Sequence, residues 1–154
     1  MQPHLDRLDM RILSALQLCN QTTAHQLAEQ VPLSPSAIQR RIRNYRSTGV
    51  IAADISVLDP KVAGEQISVV LLIQLAGQGL ARAAEFRTGL SRSPQVQVVM
   101  DVAGPHDLLC IAVFDGMEVL NAFIDMEIAD HPSVARFETI FVRRRVKFGA
   151  AIPL

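Results

Sequence analysis

The sequence predicts an α+β protein of two domains, and three observations support this. Helical spacing of apolar residues fills the first fifty positions, whereas nearly continuous β-branched runs begin only at Ile67. Between them lies a stretch from Asp59 to Gln66 with a proline and a glycine. The 154 residues are 49% hydrophobic and 19% charged, enough to build packed cores. We place the domains at residues 1–61 and 62–154.

The first predicted helix runs from Leu5 to Leu18. Asp6 suits the N-cap, and Asp9 suits the third helical position, where the helix dipole favours an acid. An apolar stripe at helical spacing follows, formed by Leu8, Ile12, Leu13 and Leu16. We interpret this helix as the support on which the next two helices pack.

Two further helices are predicted between Thr23 and Gly49. Thr23 and Gln26 have the spacing of a capping box, and Ser34 followed by Pro35 is a strong helix start. We expect a three-residue break between the helices and a C-terminal stop at Gly49. This arrangement is typical of a helix-turn-helix.

The second of these helices is basic on one side. Its apolar residues Ile38, Ile42 and Tyr45 share the face predicted to be buried, and the segment between Gln30 and Ala53 holds four arginines and no acid. Arginine and glutamine can contact base edges, and flanking arginines can reach phosphates. The predicted double-stranded DNA contacts are Ser34, Ser36, Gln39, Arg40, Arg41, Arg43 and Arg46.

A solvated arginine-rich helix is the plainer interpretation of these residues. The break between the helices, the cap residues and the one-sided arginines together favour DNA binding instead. After Gly49, loose alternation over Val50–Leu58 predicts a strand or wing beside the basic helix. The first domain is therefore predicted to be a winged helix-turn-helix.

The second domain alternates strands and helices. The order βαββαβ is that of a ferredoxin-like split unit, in which two helices cover one face of a four-stranded sheet. Because strands this apolar do not stay wet, we expect the other face to form a homodimer. The predicted elements are strand 67–75, helix 80–90, strand 96–102, strand 108–114, helix 117–129 and strand 134–146.

Other residue patterns indicate little chemistry. Cys19 and Cys110 are predicted to be small buried residues of a reducing cytoplasm, and no signal core or membrane span is recognised. The four histidines lack metal-ligand spacing, and no nucleophile or nucleotide motif appears, so no cofactor and no enzyme are predicted. The acids Asp125, Glu127 and Asp130 suit a solvated helix side, with a divalent ion at a subunit interface as the alternative.

Separated stretches of the whole chain resemble the Lrp/AsnC family of transcription regulators. They are LDRLDMRIL, LAEQVPLSPSAIQRRIR, STGVIAADISVLDP, AGPHDLLC and VRRRVKFGAAIPL. The resemblance implies a C-terminal ligand-responsive αβ sandwich called the RAM domain, dimers that often form octamers, and modulation by amino acids or related molecules. It also implies control of genes of amino-acid metabolism.

The resemblance places an effector loop at Gly104 and Asp107, with His106 between them and Thr139 on a nearby strand. A glycine admits a ligand carboxylate to loop amides, and an aspartate pairs with an ammonium group. Pro105 departs from the family pattern and removes one N–H donor. A plain β-turn is the alternative for this loop.

Three functions therefore stand at the level of sequence. The first is a sequence-specific regulator modulated by a small molecule. The second is an architectural DNA-binding protein with little sequence preference, which would share the basic helix. The third is an enzyme similar to the siroheme decarboxylases of the same fold, which would have no use for a basic helix.

Overall fold

The computed structural model describes residues 4–77 and 79–154, and the chain forms two compact units. Unit 1 extends to Val57 and also contains the C-terminal segment Lys147–Leu154, whereas unit 2 comprises Leu58–Val146. The sequence predicted a boundary near residue 62 and a second domain reaching the end of the chain. The last eight residues lie instead with the first unit.

Unit 1 contains helices α1 (Arg7–Leu18), α2 (Ala24–Ala28) and α3 (Pro35–Ser47). The predicted caps form as expected: Asp6 and Thr23 make capping boxes, and Ser34 caps α3. Gly49 follows α3 with a φ of 76°, a left-handed conformation that glycine adopts without strain. The three helices share a core of Ile12, Leu13, Leu16, Ala24, Leu27, Val31, Ile38, Ile42 and Tyr45.

Two predictions for unit 1 were wrong. Six residues, 29–34, separate α2 from α3 rather than three, because α2 stops after a single turn and a half. No strand forms over Val50–Leu58. Val50 and Ile51 pack against the helical core, but Ile55, Val57 and Leu58 are exposed, so apolar alternation had no sheet to join. The segment is a loop without the ladder of a wing.

Unit 2 has the predicted βαββαβ order. Its elements are β1 (Ile67–Leu75), α4 (Leu80–Arg92), β2 (Val96–Asp101), β3 (Leu108–Phe114), α5 (Met117–Ile124) and β4 (Val134–Phe141). The four strands form one antiparallel sheet in the order β2-β3-β1-β4. A short 3-10 turn, Pro60–Ala63, precedes the sheet, and a π-helical turn, Asp125–Ala129, extends α5.

The last strand is shorter than predicted. It was expected to reach Val146, but β4 ends at Phe141, whose partner Val69 lies near the beginning of β1. One further hydrogen bond joins the Val142 N–H to the Ser68 carbonyl oxygen. Because β1 begins at Ile67, the residues beyond Val142 have no strand beside them to continue the ladder.

The two faces of the sheet differ sharply. Alternate residues of β1 and β3 are buried with both helices, among them Val69, Leu71, Ile73, Leu108, Cys110, Ala112 and Phe114. The residues between them point to the face without helices, as alternation along a strand requires. That open face carries Val70, Leu72, Val98, Met100, Leu109, Ile111, Val113 and Ile140, all intermediate or exposed.

None of the helices in the described part of the chain has the length and apolar character needed to span a membrane.

Candidate functional site

One side of α3 is buried and the other faces solvent. Ile38, Ile42 and Tyr45 are inside the core, as predicted. Ser34 accepts a hydrogen bond from the Ala37 N–H at 3.3 Å, and its hydroxyl lies 3.1 Å from that of Ser36. The exposed predicted DNA contacts are Ser34, Ser36, Gln39, Arg40, Arg43 and Arg46. The helix thus presents a polar surface along its exposed side.

Arg40 and Arg43 have no partner within the described parts of the chain. Both side chains are exposed, and no ion pair or hydrogen bond to another described residue engages either guanidinium. Gln39, next to them, is likewise exposed and unengaged among residues 4–77 and 79–154. These three side chains offer donors, and in Gln39 an acceptor as well, without any internal competitor.

Arg41 has a different position. Its Nη1 donates to Asp6 at 2.8 Å and also to Asp9, at the start of α1. Asp9 is only 7% exposed and accepts a further hydrogen bond from the buried Tyr45 hydroxyl. The Arg41 guanidinium therefore joins α3 to α1, whereas the sequence analysis predicted that it would contact a phosphate.

This network perturbs its titratable members. The Asp9 N–H, followed by the Arg41 guanidinium, lowers the pKa of Asp6. Hydrogen bonds from Arg41 to Asp6 and then to Asp9 raise the pKa of Arg41 further above its ordinary value. Burial, together with the hydrogen bond to Asp9, raises the pKa of Tyr45. Arg41 and Tyr45 therefore keep their protons at neutral pH, and Asp6 remains ionised.

Arg46 is also engaged, although at the surface. Its Nε and Nη2 donate to the two carboxylate oxygens of Asp54 at 2.8 and 3.3 Å. Both side chains are more than a third exposed, so water screens this pair. Asp54 lies in the loop that was predicted to be a wing. Sequence reasoning missed all three acidic partners: Asp6 and Asp9 lie more than thirty residues from Arg41, and Asp54 stands just beyond the acid-free stretch.

The predicted effector residues in unit 2 divide between two faces of the sheet. Asp107 ends the loop before β3, and its Oδ2 accepts a hydrogen bond from the Leu75 N–H at 2.7 Å. The Asp107 N–H donates to the Ile73 carbonyl oxygen, which ties the loop to the end of β1. No described residue bonds to the other oxygen, Oδ1. Gly104 is exposed, with open space where a Cβ would stand.

His106 lies on the same loop, and its Nε2 is 3.6 Å from Oε1 of Glu138 in β4. Glu138 pairs with Leu72 and points to the open face. Thr139 pairs with the fully buried Leu71, so its side chain points to the helix-covered face. The structure therefore gathers Gly104, His106 and Asp107 on one loop and places Thr139 on the opposite side of the sheet from the His106–Glu138 contact.

The remaining candidates carry little chemistry. Cys110 is buried as predicted, and burial raises its pKa to about 11, so its thiol is unreactive at neutral pH. Cys19 was predicted to be buried but is exposed at the C-cap of α1, since the helix ends there and turns to solvent. Among the described residues, no three histidine, cysteine or acidic side chains are grouped as metal ligands.

The two units define a class of protein. Unit 1 has the three helices of a helix-turn-helix domain, and on its third helix Arg40 and Arg43 are exposed and bond to no described residue; unit 2 has a ferredoxin-like fold. The chain belongs to the Lrp/AsnC family of transcription regulators. The model of the Lrp/AsnC ligand binding domain matches residues 68–152, and that of the AsnC-type helix-turn-helix domain matches residues 5–46.

Relatives and solved structures agree with this assignment. An HTH-type transcriptional regulator of Sinorhizobium fredii is 32% identical over 97% of this chain and 89% of its own length. The leucine-responsive regulatory protein of Rhizobium meliloti is 28% identical over 97% and 96%. A crystal structure of an AsnC family regulator from Agrobacterium tumefaciens superposes with a TM-score of 0.85 at 27% identity, covering 97% of each chain.

A second crystal structure shares the fold at lower identity. It is a transcriptional regulator of Neisseria meningitidis in complex with L-Met, with a TM-score of 0.85, 24% identity and 97% of each chain covered. The protein described here is thus a DNA-binding transcription regulator of a family whose C-terminal domain binds ligands.

Proposed function

We propose that this regulator binds double-stranded DNA in a sequence-specific manner through Gln39, Arg40 and Arg43, and that an amino acid or related small molecule modulates the binding. The observation that carries the first part is the exposed, unengaged state of these three side chains on a helix whose other side is buried. Arginine pairs with guanine and glutamine with adenine through two hydrogen bonds each in the major groove. A cytoplasmic location follows from the DNA partner.

The remaining predicted contacts take secondary places in this proposal. Ser34 and Ser36, at the N-terminus of α3, suit phosphate oxygens, which the helix dipole attracts. Arg46 suits a phosphate only by exchanging Asp54 for it. Arg41 stays with Asp6 and Asp9 and acts by holding α3 in place.

Binding to the protein's own upstream DNA, compared with a scrambled fragment at physiological salt, tests the proposal. We expect the upstream fragment to bind at least 10³-fold more tightly, the lower end of ordinary specificity ratios. Equal affinity for both would instead support the architectural function. No DNA binding at all would support the enzyme similar to siroheme decarboxylases.

Single substitutions on α3 identify the base contacts. Arg40→Ala or Gln39→Ala should weaken the cognate complex by about 1–3 kcal/mol, if the replaced side chain makes a two-bond contact, and random DNA much less. Gln21→Ala is the matched control, because Gln21 is exposed in unit 1 but outside α3. An equal loss on both DNAs would make the residue a phosphate contact.

The effector part of the proposal rests on the loop Gly104–Asp107. Oδ1 of Asp107 is open to an ammonium group while Oδ2 holds β1, and exposed Gly104 lets a carboxylate approach the backbone. The match to a ligand-binding domain supports a small-molecule effector. Pro105 supplies no N–H, so fewer loop amides are available to the carboxylate than in the family pattern. His106 and Thr139 are secondary candidates for effector contacts, because they lie on opposite faces of the sheet.

A panel of amino acids, added to the specific DNA complex, tests this loop. One member should shift the affinity at least fivefold, the lower end of ordinary coupling between sites. Asp107→Ala should abolish the shift with little change in binding to DNA alone. An unchanged response in that variant would remove Asp107 from the effector site.

The open sheet face supports a homodimer. Its centre consists of aliphatic side chains, and a contiguous apolar surface of this kind is characteristic of an interface between copies. Ile140, 48% exposed on β4, lies on this face, so Ile140→Asp should weaken dimerisation at least tenfold. Met126→Asp is the control, because it changes an apolar side chain that is 80% exposed and lies outside the sheet. This change should leave the dimerisation constant unaltered.

Sedimentation of both variants over a range of concentrations gives the dimer constant. Equal constants for the two would place the interface elsewhere. Octamers, which the family resemblance implies, would appear as a heavier species in the control as well as in the unmodified protein.

A further inference from the structure

Gln17 attaches the C-terminal segment Lys147–Leu154 to α1. Gln17, in the last turn of α1, donates from Nε2 to the carbonyl oxygen of Ile152 at 2.7 Å. The Ile152 N–H donates back to Oε1 of Gln17 at 3.0 Å. The carboxamide therefore satisfies both backbone groups of one residue, as the neighbouring strand does for a hydrogen-bonded pair in an antiparallel sheet.

This pairing is selective for a carboxamide. It needs a donor and an acceptor side by side on one side chain, which glutamine has and glutamate lacks at neutral pH. A glutamate at position 17 would still accept from the Ile152 N–H but would set a negative oxygen against the Ile152 carbonyl. An alanine would remove both bonds. The two substitutions therefore weaken the attachment to different degrees, with glutamate adding repulsion.

The composition of the segment favours docking over a solvated tail. Lys147 is its one charged side chain, and most of the rest is apolar or small, whereas tails that stay in water are rich in charge. Its attachment is nevertheless open: Gln17 is exposed, and Phe148 and Ile152 are 58% and 64% exposed. Neutral hydrogen bonds in contact with water are easily exchanged. The docked segment is thus held, but held reversibly.

Chain connectivity makes this attachment consequential. The chain leaves unit 1 after Val57 and returns to it at Lys147, so unit 2 is linked to unit 1 at both of its ends. Only residues 142–146 separate the end of β4 from the docked segment. Release of Ile152 from Gln17 would remove this second link.

We propose that the end of α1 around Gln17 is a docking site for the chain's own C-terminal segment, and that the docked segment is a releasable second tether between the ligand-binding unit and the DNA-binding unit. The occupant is the segment of the same copy. The regulatory part rests on the proposed effector response. By linkage, a ligand that favours one tether state changes DNA affinity only if that state also binds DNA differently.

Hydrogen exchange of the full-length protein tests the docking without DNA or ligand. In Gln17→Ala and Gln17→Glu, amides of the C-terminal peptide that contains Ile152 should exchange at least threefold faster than in the unmodified protein. Gln21→Ala replaces another exposed glutamine of unit 1, whose side chain makes no hydrogen bond or ion pair with a described residue, and should match the unmodified protein. Unchanged exchange in both Gln17 variants would overturn the docking site.

The source of the segment is tested with the dimer-weakened Ile140→Asp variant. Protection that persists in the monomer at low concentration is expected of a segment from the same copy. Protection that disappears when the monomer forms would show that a second copy supplies the segment and would overturn this assignment.

The tether is tested by the effector response on specific DNA. Gln17→Glu should reduce the effector-induced change in affinity at least threefold, whereas Gln21→Ala should keep it. A full response in Gln17→Glu would overturn the tether while leaving the docking site intact. Failure of the proposed function is distinguishable, because specific binding or the effector response would then be missing from the unmodified protein and the control too.

Discussion

Helix α3 and the loop Gly104–Asp107 differ in how their charged groups are engaged. On α3 the arginines divide: Arg40 and Arg43 point to solvent without partners among the described residues, while Arg41 is joined to α1. In the loop, the Asp107 carboxylate already holds the end of β1 with one oxygen, and no residue in the described part of the chain bonds to the other.

The two proposed sites therefore differ in whether their outward-facing side chains also hold the fold. The α3 surface is complete before DNA arrives, because the residues that orient the helix are distinct from those that face outward. In the loop, the carboxylate that holds β1 is also the group that we propose for the effector, so a change there alters the strand contact and the proposed ligand contact together. On α3, a substitution can therefore change either the residues that orient the helix or those that face outward. In the loop, the structural contact and the proposed ligand contact can be separated only by a side chain that keeps one of the two.

The largest expected effect is the loss of stability from Arg41→Ala. The change leaves the buried Asp9 carboxylate without its charged donor, and we expect a loss of about 2–3 kcal/mol in the free energy of unfolding of unit 1. Tyr45 is the only tyrosine and the chain has no tryptophan, so tyrosine fluorescence during urea unfolding reports on this unit.

Arg40→Ala is the matched control for that measurement, since it removes an exposed arginine one position away. It should change stability by less than about 0.5 kcal/mol. Equal losses in the two variants would contradict the division of the arginines into structural and outward-facing ones.

The Tyr45 hydroxyl gives a pH test of the same network. Its pKa is raised in the folded state, so the stability that it contributes is complete below the unfolded value of about 10 and is lost as pH rises through the folded value. Absorbance of tyrosinate should therefore appear only above pH 10 and together with alkaline unfolding. Titration near pH 10 with the fold intact would place Tyr45 outside the buried network.

Low pH tests the same network through its acidic member, Asp6. The Asp9 N–H and Arg41 lower the pKa of Asp6, so its contribution is present above the unfolded value of about 3.9 and is lost as pH falls through the folded value. Asp6→Asn should make the stability of unit 1 less dependent on pH below 4. Tyrosine fluorescence at a series of acid pH values checks this, and unchanged pH dependence would remove Asp6 from the linkage.

Asp107→Asn and Asp107→Ala separate the two tasks of the loop. Asparagine keeps an oxygen for the Leu75 N–H but loses the charge, so stability should stay within about 0.5 kcal/mol while ammonium binding is lost. Alanine should also cost about 1 kcal/mol of unfolding free energy. Unfolding curves with far-ultraviolet circular dichroism, together with effector titrations, distinguish them; equal stability would mean that the Leu75 contact is unimportant.

The smallest effect is expected at Arg46. Asp54→Ala removes an exposed, screened partner and should change stability by no more than about 0.5 kcal/mol. The same change frees Arg46, so non-specific DNA affinity should rise slightly and depend more steeply on salt. A salt dependence identical to that of the unmodified protein would show that Arg46 contributes nothing to the interface.

Local signals in the sequence were sufficient for most helices and strands. The three N-caps bond to partners only three residues away, so the sequence alone was enough to predict them. These caps are Asp6, Thr23 and Ser34. The βαββαβ order was legible for the same reason, since β-branched runs and helical periods are local. The residues that form the exposed face of α3 were predictable from helical spacing alone.

Tertiary structure decided which of those residues are free. Arg41 and Arg40 are neighbours in sequence, yet only Arg41 meets Asp6 and Asp9, more than thirty residues away. The missing strand over Val50–Leu58, the end of β4 at Phe141 and the attachment of Ile152 to Gln17 are also long-range outcomes. Sequence by itself determined where helices and strands begin and which faces they offer, because those depend on near neighbours. Contacts between residues distant in the chain form only when packing brings them together, and those contacts separate the charges that hold the fold from the charges that remain exposed.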